Sequence, residues 1–154
     1  MQKTLVILKP DSVTRWITWE IISRLEKKWL KLVASKMVLL TEEQLKQHYS
    51  HLADKPFFPS IVKFMTSAPV ILQVWEWKDV VEVVRLMAWV TNSRQAQPWT
   101  IRWDYSMSIW NNVIHASENL EVANEEIKRF FNEEEIYSYK RADENMLYSE
   151  DERN

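Results

Sequence analysis

Apolar positions along the chain fall into short segments with two different periods. Runs of apolar, mostly β-branched residues predict four strands, at 4–9, 30–40, 70–75 and 112–117. Apolar residues at helical spacing, with a capping box at 41–44, predict helices at 19–28, 41–49, 60–66, from about 79, and at 120–131. The segment 91–111 has no clear period, which is typical of a long functional loop.

The order of these elements indicates the fold class. Compressed, it is βαββαβ, which predicts an α+β protein with a ferredoxin-like antiparallel sheet, helices on its faces and additional decorating helices. The acidic, Tyr-containing stretch 132–154 reads as a C-terminal extension, either an arm against a neighbouring subunit or partly disordered. No repeat or linker divides the chain, so we expect a single domain over 1–154.

Composition narrows the function classes. Hydrophobic residues make up 46% and charged residues 27%, as in soluble globular domains. A net charge of −2 gives no general basic footprint, so nucleic-acid binding is not expected. No apolar run has membrane-spanning length, and the start MQKTLVILKPDSV does not resemble a secretory signal, so we expect a cytoplasmic protein. With no Cys, disulfides, thiolate metal sites and Cys nucleophiles are excluded.

Two residue counts depart from the usual pattern. The chain has no Gly and nine Trp. An average composition would include Gly at about 7%, so we expect that glycine was removed deliberately by engineering. Glycine-rich phosphate-binding loops of the usual kinds are therefore excluded.

His115, in the segment NVIHAS, is the first candidate for chemistry. Its position alone allows a packed core residue, a metal ligand or a nucleophile. Asn112 and Ser117 flank it, and Glu126 lies at the edge of the apolar face of the following helix. A carboxylate that holds one imidazole N–H fixes the tautomer and frees the other nitrogen for attack. From spacing alone, however, Glu126 reads as a solvated helix residue.

Other candidates are weaker when taken one by one. His48 and His51 have a spacing that can chelate zinc, but without a third ligand they read as exposed polar residues. Two aromatic side chains in the Pro-bounded loop, Phe57 and Phe58, could stack on a base or pack in the core. Three cations could together surround a polyanion, as phosphoryl transfer requires. They are Lys9, Arg85 and Arg102.

Taken together, the ordered motifs resemble the nucleoside diphosphate kinase family over nearly the whole chain. The N-terminal half contributes TLVILKPDSVTR, EIISRLEKKWLKLVASKM, HY and KPFFPS. The second half contributes SAPVILQVWE, TN, PWTIRWDYS and NVIHAS, the last of which is similar to the family's Asn-x-x-His-(Gly/Ala)-Ser-Asp signature. The tail YSYKRADENMLYSEDE is similar to the extension of hexameric, particularly archaeal, members.

The resemblance implies a ping-pong transfer of the γ-phosphate from a nucleoside triphosphate to a nucleoside diphosphate through a phosphohistidine on His115. It implies that Glu126 holds the imidazole, that Ser117 supports the site and that Phe57 stacks on the base. Mg²⁺ would be bound through the nucleotide phosphates rather than by the protein. It also implies a homohexamer. The family positions around the phosphates and sugar correspond to Lys9, Tyr49, Arg85, Thr91, Arg102 and Asn112, with Lys9 and Asn112 also at the ribose 3′-hydroxyl.

The chain departs from the family pattern mainly at glycine positions. Glu118 replaces the Asp of the signature, close to His115. Because a Cβ is costly where φ is positive and an indole needs volume, we expect weakened activity. The alternative is a folded but catalytically impaired nucleotide-binding or assembly protein; an RNA-binding module is disfavoured by the charge. Tryptophan stands at eight usual glycine positions, namely Trp16, Trp19, Trp29, Trp77, Trp89, Trp99, Trp103 and Trp110.

Overall fold

A computed structural model describes residues 1–149 and contains one four-stranded antiparallel sheet. The strands are β1 (Gln2–Leu8), β2 (Lys31–Val38), β3 (Val70–Trp77) and β4 (Ile114–Ala116). Their order across the sheet is β2-β3-β1-β4, with β1 paired to both β3 and β4. This is the order of the ferredoxin-like fold, so the predicted fold class is confirmed.

Both faces of the sheet are covered by helices. The helices are α1 (Pro10–Thr14), α2 (Thr18–Lys27), α3 (Glu42–His48), α4 (Phe58–Met65), α5 (Val80–Ala88), α6 (Ile101–Tyr105) and α7 (Leu120–Phe130). Side chains of β1 alternate between two cores because successive residues of a strand point to opposite faces. Val6 and Leu8 pack with α2 and α5, whereas Leu5 and Ile7 pack with α3, α4 and α7.

The segment 91–111 is more ordered than its sequence predicts. It contains a 3-10 helix at Ser93–Gln95 and helix α6 at Ile101–Tyr105. The prediction of a long loop missed these helices, because a five-residue helix is too short to show a period. Helix α1 has the same length; Pro10 occupies its first turn, where a missing N–H costs nothing.

The described part of the C-terminal extension packs on its own chain. The Tyr137 N–H donates to the carbonyl of Val33 at 2.9 Å, and the Tyr139 hydroxyl donates to Leu32 O at 2.6 Å. Further along, the Tyr148 ring stacks on Trp77 with centroids 5.7 Å apart. The predictions for residues 150–154 lie outside the described residues.

Four of the tryptophans at usual glycine positions have backbone conformations that favour glycine. Their φ angles are positive: 60° at Trp16, 70° at Trp29, 67° at Trp89 and 72° at Trp99. A residue with a Cβ is disfavoured there by on the order of 1–2 kcal/mol. The predicted cost of glycine replacement thus has a visible backbone basis at these four positions.

No helix within residues 1–149 has the length and apolarity that a membrane crossing requires.

Candidate active site

A cavity of about 600 Å³ opens where β1, β4, α3, α5 and α7 approach one another. Of the ten site residues predicted from the sequence, eight line it: Lys9, Tyr49, Arg85, Thr91, Arg102, Asn112, His115 and Glu126. The other two, Ser117 and Phe57, are not among its lining residues. Residues from six separate segments of the chain therefore meet at one place.

Pairing between β1 and β4 sets the direction of the His115 side chain. His115 lies opposite Ile7, and partners in an antiparallel pair share a face. Ile7 belongs to the core that includes α3 and α7, so the imidazole extends toward those two helices. Its Nε2 atom lies 2.9 Å from Oε1 of Glu126 on α7.

Glu126 is buried, which corrects the solvated side chain that its spacing indicated. Its Oε2 accepts a hydrogen bond of 2.6 Å from the hydroxyl of Ser117, and that hydroxyl in turn accepts the Leu5 N–H at 3.2 Å. Burial alone would raise the pKa of this carboxyl. The neighbouring His115 imidazole and these hydrogen bonds outweigh burial and lower the pKa to about 2.

The ionised carboxylate determines the tautomer of His115. A carboxylate can only accept hydrogen bonds, so the short contact to Oε1 requires a proton on Nε2. In the neutral ring this leaves the lone pair on Nδ1. His115 therefore has one nitrogen fixed by Glu126 and the other available as a nucleophile or base.

His48 is a site residue that the sequence analysis missed. It is buried, so the interpretation as an exposed polar residue was wrong, whereas His51 is exposed. The His48 ring meets the His115 ring edge-on at 4.6 Å between centroids, and its Nδ1 lies 3.6 Å from Glu126 Oε1. Burial, with the adjacent His115, keeps the His48 pKa well below its usual value. The available signal was Leu45, which is also buried one turn earlier on α3.

His48, His115 and Glu126 could together hold a metal ion, since their ligand atoms lie within 4.8 Å of one another. His51, whose spacing to His48 suggested a zinc pair, is not part of this cluster. Imidazole nitrogens suit zinc and similar metals better than Mg²⁺, which prefers oxygen ligands. The donor set therefore does not fit a protein-held magnesium ion.

Lys9 brings a buried amine to the cavity at the end of β1. Its Nζ donates to Oδ1 of Asn112 at 2.5 Å and to the carbonyl of Trp110 at 3.3 Å. The Asn112 amide donates in turn to the carbonyls of Thr91 and Ile109, both at 2.9 Å. Burial, assisted by the charge of Arg102, lowers the pKa of Lys9 to about 7. An anion in the cavity would offset this loss of solvation.

Arg102 is buried and fixed by two backbone carbonyls. Its guanidinium donates to Trp89 O at 2.5 Å and to Ile114 O at 2.8 Å. Burial, with the neighbouring positive charge of Arg85, lowers its pKa to about 10. Arg85 itself is exposed on α5, and burial raises the pKa of Tyr49 so that its hydroxyl stays neutral. Cationic donors thus lie on the cavity wall near His115, an arrangement that suits a polyanion.

A strained residue directly before β4 was also missed. Val113 has a φ of 62°, which is unfavourable for a β-branched side chain. Its N–H donates to Asp11 Oδ2 at 3.2 Å, and its carbonyl accepts the Lys9 N–H at 2.9 Å. These bonds hold a turn that directs Asn112 to Lys9 and starts the strand of His115. Such strain often occurs at functional sites.

Phe57 lies beside the cavity but does not line it. Its ring stacks on the indole of Trp110, with centroids 5.1 Å apart and 26° between the planes. Trp110 does line the cavity. The indole therefore covers one face of the Phe57 ring, which is still 37% exposed.

Comparisons with known proteins all point to one family. Residues 2–136 match the family model described as nucleoside diphosphate kinase. A nucleoside diphosphate kinase from Parabacteroides distasonis is 51% identical over 99% of both chains, and one from Archaeoglobus fulgidus is 42% identical over 97% of this chain and 99% of its own. Among solved structures, a halophilic nucleoside diphosphate kinase from Halobacterium salinarum in complex with CDP superposes with a TM-score of 0.93 at 38% identity, covering 96% of this chain and 99% of its own.

A family match over most of the chain, relatives above 40% identity and a closely superposing structure all indicate the same family. Its members are phosphotransferases that act on nucleotides and typically use a divalent metal. The chain therefore belongs to the nucleoside diphosphate kinase family and is a phosphotransferase enzyme.

Proposed function

We propose that this protein transfers the γ-phosphate of a nucleoside triphosphate to a nucleoside diphosphate in two half-reactions through His115. The observation that carries the proposal is the chain of contacts from the Ser117 hydroxyl through Glu126 to His115 Nε2, at 2.6 and 2.9 Å. This chain orients an imidazole on the wall of a cavity that also contains buried cations.

In the first half-reaction Nδ1 of His115 attacks the γ-phosphorus. The nitrogen–phosphorus bond forms, the bond to the β–γ bridging oxygen breaks, and a nucleoside diphosphate leaves. The second half-reaction is the reverse, with a different diphosphate as acceptor. Glu126 stabilises the positive charge that the ring acquires, because its pKa of about 2 keeps it ionised at neutral pH.

The remaining predicted residues would bind the nucleotide. Lys9, Arg85 and Arg102 line the cavity and would neutralise the phosphate oxygens, whose negative charge must be stabilised during transfer. The other lining residues, Tyr49, Thr91 and Asn112, offer hydroxyl and amide groups for phosphate and sugar, and Lys9 with Asn112 suits the ribose 3′-hydroxyl. Mg²⁺ would accompany the nucleotide as part of the substrate and neutralise phosphate charge, because the cluster of His48, His115 and Glu126 among residues 1–149 does not suit it.

Initial-rate kinetics test the two-step mechanism. With the diphosphate acceptor varied at several fixed triphosphate concentrations, a phosphoenzyme intermediate predicts parallel double-reciprocal lines. Intersecting lines would instead indicate direct transfer in a ternary complex. Exchange of label between ADP and ATP, with no other nucleotide present, provides an independent check, because only a free phosphoenzyme supports it.

We expect turnover to be weakened by tryptophans around Arg102, although a purely non-catalytic binding or assembly protein is not favoured. Trp99 has a φ of 72°, and Trp89, whose carbonyl binds Arg102, has a φ of 67°. A variant with Gly restored at 99, 103 and 110 should turn over faster than the present chain. Equal turnover of the two proteins would contradict an effect of these residues.

The assembly and location expected from the family are further proposals. We propose that residues 1–154 form one domain, that 132–154 extend it, and that the protein is a cytoplasmic homohexamer. A hexamer predicts a mass near six times the 18.6 kDa of the chain in size-exclusion chromatography with light scattering. A monomeric mass would show that the altered surface no longer assembles.

A further inference from the structure

One aromatic contact at the mouth of the cavity has no place in the proposed mechanism. The indole of Trp110 stacks on Phe57, with centroids 5.1 Å apart and planes 26° from parallel. Trp110 lines the cavity, and Phe57 is not among the lining residues. The indole therefore lies in the geometry that a stacked base would adopt, on the ring that the family resemblance implies would stack on the base.

The backbone around Trp110 holds the indole in this position. The Trp110 N–H donates to Ser108 Oγ at 3.2 Å, and its carbonyl accepts from Lys9 Nζ at 3.3 Å. On either side, Ile109 O accepts from Asn112 and the Asn111 N–H donates to Ser108 Oγ. The side chain is half-buried and packs against the core that includes α3 and α4. The backbone bonds fix the main chain of Trp110, and the core contacts and the stack on Phe57 position the indole.

We propose that Trp110 is a specificity-determining residue that occupies the stacking face of Phe57 and so removes most of the contribution of the base to nucleotide binding. The inference rests on the proposed function and on the base-stacking role that the family resemblance implies for Phe57. A nucleotide would then be retained mainly through its phosphates, by Lys9 and Arg102 deeper in the cavity. The site would discriminate little between different bases, or between a nucleotide and a base-free diphosphate.

Isothermal titration calorimetry in the presence of Mg²⁺ measures the affinities for ADP and for inorganic diphosphate. Both are measured on the full chain and on its Trp110→Ala variant. Because base–aromatic stacking accounts for about tenfold in affinity, the variant should bind ADP about tenfold more tightly and inorganic diphosphate with unchanged affinity. Trp16→Ala is the matched control: its indole is 90% exposed and does not line the cavity, so both affinities should stay constant.

Phe57→Leu, made in both backgrounds, separates stacking from general effects of the substitutions. It should leave ADP affinity nearly unchanged when Trp110 is present and cancel the gain when Trp110 is Ala. If Trp110→Ala leaves ADP affinity unchanged or weakens it, the indole does not block the base, or itself stacks on it, and the inference is overturned.

A failure of the proposed function would give a different result. It would appear as no phosphorylation of His115 by ATP in either protein, whatever the binding ratio. Phosphorylation of His115 in both proteins, with the same ratio of ADP to diphosphate affinity, would overturn only the role of Trp110.

Discussion

Glu126→Gln removes one charge from the proposed catalytic chain and keeps the shape of the side chain. In the native site, Glu126 is 4% exposed, ionised, and 2.9 Å from His115 Nε2. A hydrogen bond to a charged group contributes about 1.5–3 kcal/mol. The amide oxygen of Gln can still accept the Nε2 proton, so the expected loss is the charge-assisted part of the bond. A neutral hydrogen bond contributes about 0.5–1.5 kcal/mol, so the charge-assisted part is about 1–1.5 kcal/mol. At about 1.4 kcal/mol per factor of ten, phosphorylation of His115 should slow by about 5- to 12-fold.

Rapid-quench measurement of phosphoenzyme formation at saturating Mg²⁺–ATP isolates this step from nucleotide exchange. Glu121→Gln is the matched control, because Glu121 is exposed on the same helix and the chemical change is identical. The control should phosphorylate at the native rate. A rate for Glu126→Gln within about twofold of native would refute the reasoning that the carboxylate stabilises charge on the imidazole.

Two further predictions follow from backbone strain and from burial. Trp16→Gly should have a free energy of unfolding about 1 kcal/mol higher than Trp16→Ala, because only Gly is unstrained at a φ of 60°. Its thermal unfolding midpoint should be higher by about 2–4 °C. Equal midpoints of the two variants would contradict this strain. Lys9 has a pKa of about 7 in the free protein, and bound phosphate should raise it. ADP binding at pH 8 should therefore take up close to one proton, and much less at pH 6, where Lys9 is already charged. Calorimetric titrations in buffers of different ionisation enthalpy measure this proton uptake. Uptake that persists in Lys9→Gln would assign the proton to another group.

Elements with a clear hydrophobic period could be predicted from the sequence. The strands and the helices α2 and α7 carry enough apolar residues to show their period, and the buried runs fix which elements form the sheet. Helices α1 and α6 have five residues each, so they show no period. Their positions depend instead on contacts with distant segments, such as the bond from Arg102 to Ile114 O.

Site residues that lie in motifs matching the family could be predicted from the sequence. Contacts between residues far apart in the chain could not be predicted as well. Glu126 lies on the helix that follows His115, but its spacing alone indicated a solvated residue, and only the family resemblance implied that it holds the imidazole. The burial of His48 depends on α3 meeting β4 and α7, and its position one turn after the apolar Leu45 was the only local sign of it. The stack of Trp110 on Phe57 joins residues 53 positions apart, and Trp110 stands at a position where the family usually has Gly. Family knowledge therefore gave no signal for this contact.

The proposed function depends on phosphate being carried by the His115 nitrogen. Incubation with γ-labelled ATP, followed by acid and base treatment and site mapping by mass spectrometry, tests this. We expect one label per active site on His115, labile in acid and stable in base, removed by added GDP and absent in His115→Gln. Label that survives acid, or that persists in the His115→Gln protein, would show that another residue accepts the phosphate.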